Sequence, residues 1–209
     1  MKQHKQCIKT VIILAFTTLP NFAAKNSAIH TIEQKKQNET ITQKYTLISK
    51  TDLYNHIAFK ESSNRYNVSN QLNMLGKYQA SKRALLDFGY QEKLIDSIHK
   101  TIYTDTLTNG RVVYYFDTTL FTPAEQERFI RWYVKRMEHV HLKHTIQTYV
   151  GKEIDGVRIT KAGILFASML GFGYVKKYLE TEGTYNFQDA NGTSIKERLL
   201  EFKDTEIIS

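Results

Sequence analysis

The strongest constraint on the fold lies in residues 53–79, LYNHIAFKESSNRYNVSNQLNMLGKYQ. Leu53, Ile57 and Glu61 recur at i, i+4 and i+8, so a helix through them presents one apolar face that ends in a carboxylate. Ser62-Ser63-Asn64 follows at once. This cluster of turn formers stops the helix and leaves Glu61 at the negative end of the helix dipole. An acid on an apolar face is partly desolvated, and both conditions disfavour the ionised form and raise the pKa. A carboxyl that keeps its proton near neutral pH is what a general acid requires. The competing reading of the same position is a solvated surface Glu at a helix end.

Ahead of this stretch, Lys2, Lys5 and Lys9 form a basic segment, Val11 to Leu19 is a short apolar run ended by Pro20, and Ala23-Ala24 offers small residues for cleavage. Residues 1–24 therefore read as a secretory signal peptide. The apolar run is shorter than the roughly 20 residues a membrane helix needs, so no stable membrane span is expected after its removal. The expected location is outside the cytoplasm, periplasmic or secreted in a bacterium. Cys7, the single cysteine, precedes the apolar run and leaves with it, which excludes a disulfide framework and thiol chemistry. The formal charge is +8, and loss of the three signal lysines takes 29 basic residues to 26 against 21 acidic ones. A moderate positive excess suits an anionic polymer. Nucleic acid is one such polymer, but export argues against it and the sequence carries no zinc-finger or recognition-helix pattern.

Residues 25–50 are polar and without apolar period, and read as a linker ahead of one domain, residues 51–209. Thr51 is the expected N-cap of the helix that carries Glu61, and residues 67–79 hold too many Asn and Ser for a helix. Ser81 caps a short helix, Lys82 to Phe88, stopped by Gly89, and Leu94, Ile95 and Ile98 mark another. Residues 101–117 are rich in β-branched and aromatic side chains around Asn109-Gly110, a hairpin signal. Tyr103, Tyr114 and Tyr115 on it either stack on a ligand's rings or simply pack. Thr122-Pro123-Ala124-Glu125 is a capping box, and the helix it starts is expected to run to about Tyr149, some ~40 Å. His141 and His144 near its end share a face, but no acid or cysteine completes a ligand set and no metal is expected. Thr160 caps a helix that Gly171 and Gly173 break before a second run, Tyr174 to Leu179. Ser194 with Glu197 caps a last helix bearing Ile195, Leu199 and Phe202.

Glu61-Ser62 followed by Gly76-Lys77-Tyr78-Gln79, with Gln79 18 positions after Glu61, resembles the ES…GLMQ signature of soluble lytic transglycosylases and goose-type lysozymes. The wording is closer to a secreted branch of this lysozyme-like superfamily that carries GKYQ. Ala167-Ser168-Met169-Leu170-Gly171 is similar to the family's AYNAG motif, with Tyr and Asn replaced by Ser168 and Met169. The resemblance covers about residues 51–203. It implies an α+β, mainly α, lysozyme-like fold with a small β-element, into which the hairpin is inserted.

It also implies cleavage of the β-1,4 bond between N-acetylmuramic acid and N-acetylglucosamine in peptidoglycan. Glu61 would act first as acid and then as base for attack by the substrate's 6-hydroxyl, leaving a 1,6-anhydro end. By the same resemblance Ser63, Tyr78, Gln79, Ser168 and Met169 meet the substrate, the partner is the peptidoglycan glycan strand, and no cofactor is needed. Asp87, Asp105, Asp117 and Asp189 are candidates for a second carboxylate by residue type only. A hydrolytic muramidase and a non-catalytic peptidoglycan-binding scaffold are the alternatives, since inverting and retaining hydrolases usually pair two carboxylates.

Overall fold

Capping chemistry sets most of the helix starts. In a computed structural model that describes residues 45–208, Ser81, Thr122, Thr160 and Ser194 each accept a hydrogen bond from a backbone N–H three residues on, and Thr122 and Ser194 complete capping boxes with Glu125 and Glu197. The Glu61 helix, α1 (Lys50–Ser62), starts slightly earlier than expected. Its N-cap is Ser49, not Thr51, in a capping box with Asp52. Leu53 and Ile57 on its apolar face are fully buried.

Among the described residues the fold is mixed α and β, mainly helical, with three small sheets. After α1 come β2 (Val68–Ser69), α2 (Lys82–Phe88) and α3 (Glu92–His99), then a hairpin of β3 (Tyr103–Thr106) and β4 (Val112–Tyr115). The hairpin is part of the small sheet. Strand β4 lies between β2 and β3, so the order is β2-β4-β3, with Val68 opposite Tyr115. Its turn is wider than a two-residue Asn-Gly turn: Leu107 donates to the Arg111 carbonyl, and Gly110 takes the positive φ of 78° that closes the loop.

Helix α4 (Pro123–Arg136) starts at the expected capping box, but it does not run on to Tyr149. Met137–His141 forms a π turn, Leu142 leaves helical geometry, and α5 (Lys143–Tyr149) follows. Periodicity alone did not reveal the break because apolar residues continue through it. The wide turn lets fully buried Leu142 enter the core and brings Glu138 inward, where Lys50 and Lys161 each reach it at 2.8 Å.

The chain then forms the hairpin β5 (Glu153–Ile154) and β6 (Val157–Arg158), α6 (Lys161–Ala167), a 3₁₀ turn (Ser168–Leu170), α7 (Phe172–Glu180), α8 (Ile195–Leu200) and β7 (Thr205–Ile207). Gly171, at φ 125°, makes the break alone, and Gly173 sits inside α7. Strand β7 pairs in parallel with β1 (Thr46–Ile48). Residues 46–50 therefore belong to the fold and not to the linker. A three-residue strand has no readable period, and its partner lies at the far end of the domain. The signal-peptide reading and residues 25–44 lie outside the described residues. Among the described residues no helix is long and apolar enough to cross a membrane.

Burial raises the pKa of Glu138, but its bonds to Lys161 and Lys50 outweigh that and hold it below the usual value of 4.5. Such a group stabilises the fold above its unfolded pKa and loses that contribution as pH falls through its folded one. Glu138→Gln is expected to cost about 1–3 kcal/mol at pH 7. Urea unfolding should show the gap to wild type closing as the pH drops below 4.5.

Candidate active site

The turn that carries Gln79 is built by two neighbouring side chains of α4. Leu75 and Ala80 bridge each other and close Gly76 to Gln79 into a tight loop. Gln126, almost wholly buried, accepts from the Lys77 backbone N–H at 2.7 Å and donates to the carbonyls of Tyr66 and Phe121. Gly76 is required there twice over: its φ is +76°, and a Cβ would lie 2.1 Å from Gln126 Oε1. Glu127 then gathers the Lys77 ammonium at 2.8 Å and the hydroxyls of Tyr78 at 2.9 Å and Tyr66 at 2.8 Å. Burial raises the Glu127 pKa and these three donors lower it further than that, so it stays ionised and holds all three.

Ser62 couples this turn to the helix end. Its hydroxyl donates to the Lys77 carbonyl at 2.8 Å and accepts from the Arg65 N–H at 3.1 Å. The Glu-Ser dipeptide and the Gly-Lys-Tyr-Gln loop are thus one unit, with Ser62 as the tie.

Glu61 and Gln79 open into one cleft of about 500 Å³. One wall is the hairpin, through Arg111, Val112 and Tyr114. Another is the loop of Asp189, Asn191 and Thr193. Gln79 keeps a positive φ of 48° and donates through Nε2 to the Gly76 carbonyl at 2.9 Å. Asp189 caps its own turn, accepting through Oδ1 from the N–H groups of Asn191 and Thr193 at 2.9 Å each.

Glu61 does not stand alone on its apolar face. Arg198 Nη2 donates to Glu61 Oε1 at 3.1 Å, with the arginine side chain only 7% exposed and the glutamate 19%. The guanidinium lies over the Phe166 ring at 4.3 Å, and its Nε and Nη1 are buried without a hydrogen-bond partner among the described residues. Burial raises the Glu61 pKa, the charge and hydrogen bond of Arg198 pull it back, and the Asp189 charge pushes it up again. The net direction is upward. Tyr133, half-buried near the same carboxylate, is pushed up to about 12 by desolvation first and the Glu61 charge second.

Of the residues expected to meet a substrate, Gln79 lines the cleft and the others do not. Tyr78 is buried and occupied by Glu127, so it offers no face to a ligand. Ser63 is an exposed left-handed C-cap, outside the cleft lining; Ser62 lines it instead. Ser168 is buried and donates to the Leu165 carbonyl at 2.7 Å. Met169 lines a second, more apolar cavity of about 460 Å³ with Met74, Trp132, Tyr133 and Phe172. Of the hairpin tyrosines only Tyr114 reaches the cleft, while Tyr103 stacks on Tyr115 at 5.6 Å. His141 stacks on Phe172 and accepts from Arg136, and among the described residues no group of three metal-ligating side chains assembles.

Arg198 was the residue missed. A signal for it exists, since Ile195, Arg198, Leu199 and Phe202 sit at i, i+3, i+4 and i+7 and all four are buried. An arginine on an apolar stripe needs an acid, as Glu61 on its own stripe needs a base. Comparison with known proteins returned no matching family model, no matching curated protein and no matching solved structure.

Gly76→Ala should destabilise the fold by about 2 kcal/mol or more, read by urea unfolding, because it combines left-handed strain with an overlap on Gln126. Glu61→Gln acts in the other direction: the raised folded-state pKa means that the ionised carboxylate costs the fold stability above pH 4.5, so the variant, which cannot ionise, should lose less stability than wild type in urea unfolding as the pH rises past that value. A Glu61→Gln protein that instead loses ground to wild type as the pH rises would mean that the carboxylate–Arg198 pair outweighs burial.

Proposed function

We propose that this chain is a peptidoglycan lytic transglycosylase with a lysozyme-like fold, exported to act on the cell wall. The observation that carries the reading is Glu61: a carboxyl at a helix end, mostly removed from water, opening into a cleft of about 500 Å³, with its pKa held above the ordinary value. The linkage of Ser62 to the Gly76–Gln79 turn supports it, because that contact makes physical sense of the two-part motif.

In this reading a glycan strand lies across the cleft between the hairpin and the 189–193 loop. Protonated Glu61 donates to the oxygen of the β-1,4 bond as the N-acetylmuramic carbon gains oxocarbenium character. The substrate's acetamido group supports that cation, with Gln79 in the same cleft available to orient it. Glu61, now ionised, takes the proton of the 6-hydroxyl as that oxygen closes on the same carbon. The products are a new glycan end and a 1,6-anhydro-muramic acid end, and no cofactor enters.

Two observations favour other readings of the same cleft. Asp189 lines it with Glu61, which suits a muramidase whose water is held by a second carboxylate. The ion pair with Arg198 also gives Glu61 a structural reason to be there, which suits a protein that binds glycan without cutting it.

Purified sacculi incubated with the protein and with Glu61→Gln distinguish all three by mass spectrometry of the released fragments. The expected result is 1,6-anhydro-muramic ends from wild type and at least a hundredfold less product from the variant. Reducing muramic ends would mean hydrolysis, and sedimentation with sacculi without release would mean binding alone.

A further inference from the structure

A general acid is most effective when its proton is held until the transition state and its conjugate base is stabilised afterwards. Two charges in the cleft bear on Glu61 in opposite senses. Arg198, from α8, touches it at 3.1 Å. Asp189, from the loop before α8, lines the same cleft and touches no cation in an ion pair among the described residues. Of the other charged groups lining the cleft, Arg111 comes from the hairpin wall, and Lys60 and Arg65 come from the end of α1 and the residues just after it. Tyr133, from α4, keeps its proton. Lys60, next on α1, is bonded to Glu201 at 2.8 Å, and Arg65 gives its Nε to the Ser62 carbonyl at 3.1 Å.

We propose that Arg198 is a positioning residue whose buried guanidinium, opposed by the Asp189 carboxylate, fixes the orientation and protonation of Glu61 during bond cleavage. This rests on the enzymatic reading above. Arg198 is poorly explained as a structural residue. Of its nitrogens, Nη2 has Glu61, whereas Nε and Nη1 are buried with no partner among the described residues, a cost that a residue kept for stability alone would avoid. Its location is nonetheless tightly held. Gly163 lets α6 approach α8 closely, since a Cβ there would lie 3.2 Å from the Leu199 carbonyl oxygen. Thr160 Oγ1 donates to the Phe202 carbonyl at 2.8 Å, and Phe166 supports the guanidinium face. On α1, His56 meets Glu201 at 2.8 Å and packs edge-on between Phe166 and Phe202, so α1 and α8 are registered one turn away from the pair.

The consequences follow from the reaction's charge balance. While Glu61 carries its proton, Arg198 bonds a neutral carboxyl. Once the proton passes to the leaving oxygen, Arg198 bonds a carboxylate, a stronger charge-assisted contact. Arg198 thereby makes Glu61 a stronger acid in the first step and a weaker base in the second. Asp189 does the reverse by repelling the carboxylate, and so keeps the proton on Glu61 before substrate is cleaved. In that sense the pair divides one residue's two tasks.

The test uses the full chain and its Arg198→Met, Arg198→Lys and Asp189→Asn variants, each checked for folding by circular dichroism. Asparagine at 189 keeps an oxygen for the turn's N–H groups. Initial release of muropeptides from sacculi is followed against pH, and the Glu61 carboxyl is titrated directly by carbon-13 NMR. Activity that needs protonated Glu61 falls as pH rises through its pKa. Arg198→Met should move that alkaline limb up by about one pH unit or more and Asp189→Asn should move it down, with the NMR titration moving the same way. Arg198→Lys keeps the charge and should restore most of the wild-type limb while lowering the maximal rate through lost orientation. Folded variants with unmoved limbs and unmoved titrations would overturn the inference. Wild-type protein that releases nothing would sink the enzymatic reading and the catalytic role of Arg198 with it, while a Glu61 titration still shifted in Arg198→Met would leave the charge coupling standing as a property of the fold.

Discussion

A tight turn brought against a helix must have its backbone polar groups satisfied, and here one side chain, Gln126, does most of that work. Its amide accepts from the Lys77 N–H and donates to two carbonyls, and it fills the space that a Cβ at residue 76 would need. Glu127 next to it fixes the two side chains that follow the glycine. With Ser62 bonded to the Lys77 carbonyl, the end of α1 is held to the same turn. Everything that faces the cleft from this side, Glu61 and Gln79 included, takes its place from those contacts.

The opposite side of Glu61 is governed by electrostatics. A carboxylate and a guanidinium each taken from water cost several kcal/mol, and a close hydrogen-bonded pair offsets much of it. The pair also changes what Glu61 is worth as evidence. On an unaccompanied apolar face, a retained acid argues for chemistry because nothing else rewards it. Beside Arg198 it also serves the packing of α1 on α8, so the argument for catalysis passes to the cleft, to the upward direction of the pKa and to the unpartnered nitrogens of the arginine.

Local signals carried much of the fold. Four of the five N-caps named from the sequence, Ser81, Thr122, Thr160 and Ser194, cap helices, and Gly89 and Gly171 end or break them, because these effects involve residues only a few positions apart. Readings that depended on distant partners were less successful. Strand β1 is legible only once β7 is beside it. The π turn after α4 exists because Leu142 and Glu138 have places to go, in the core and between two lysines. Tyr78 looked like a ligand-facing aromatic, and it is instead a buried donor to Glu127, since the burial of a turn side chain depends on what covers the turn.

The sequence by itself determined that a carboxyl would end an apolar helix face, that turn formers would stop that helix just after it, and that Ser81, Thr122, Thr160 and Ser194 would start helices. These are consequences of period and of short-range hydrogen bonding. Only the tertiary structure decided that Glu61 would meet Arg198, that Asp189 would share its cleft, that the hairpin would join β2 as a wall, and that Ser168 would turn inward. Those depend on which faces of separate elements come together, and burial and charge act on a side chain through neighbours that the linear order does not specify.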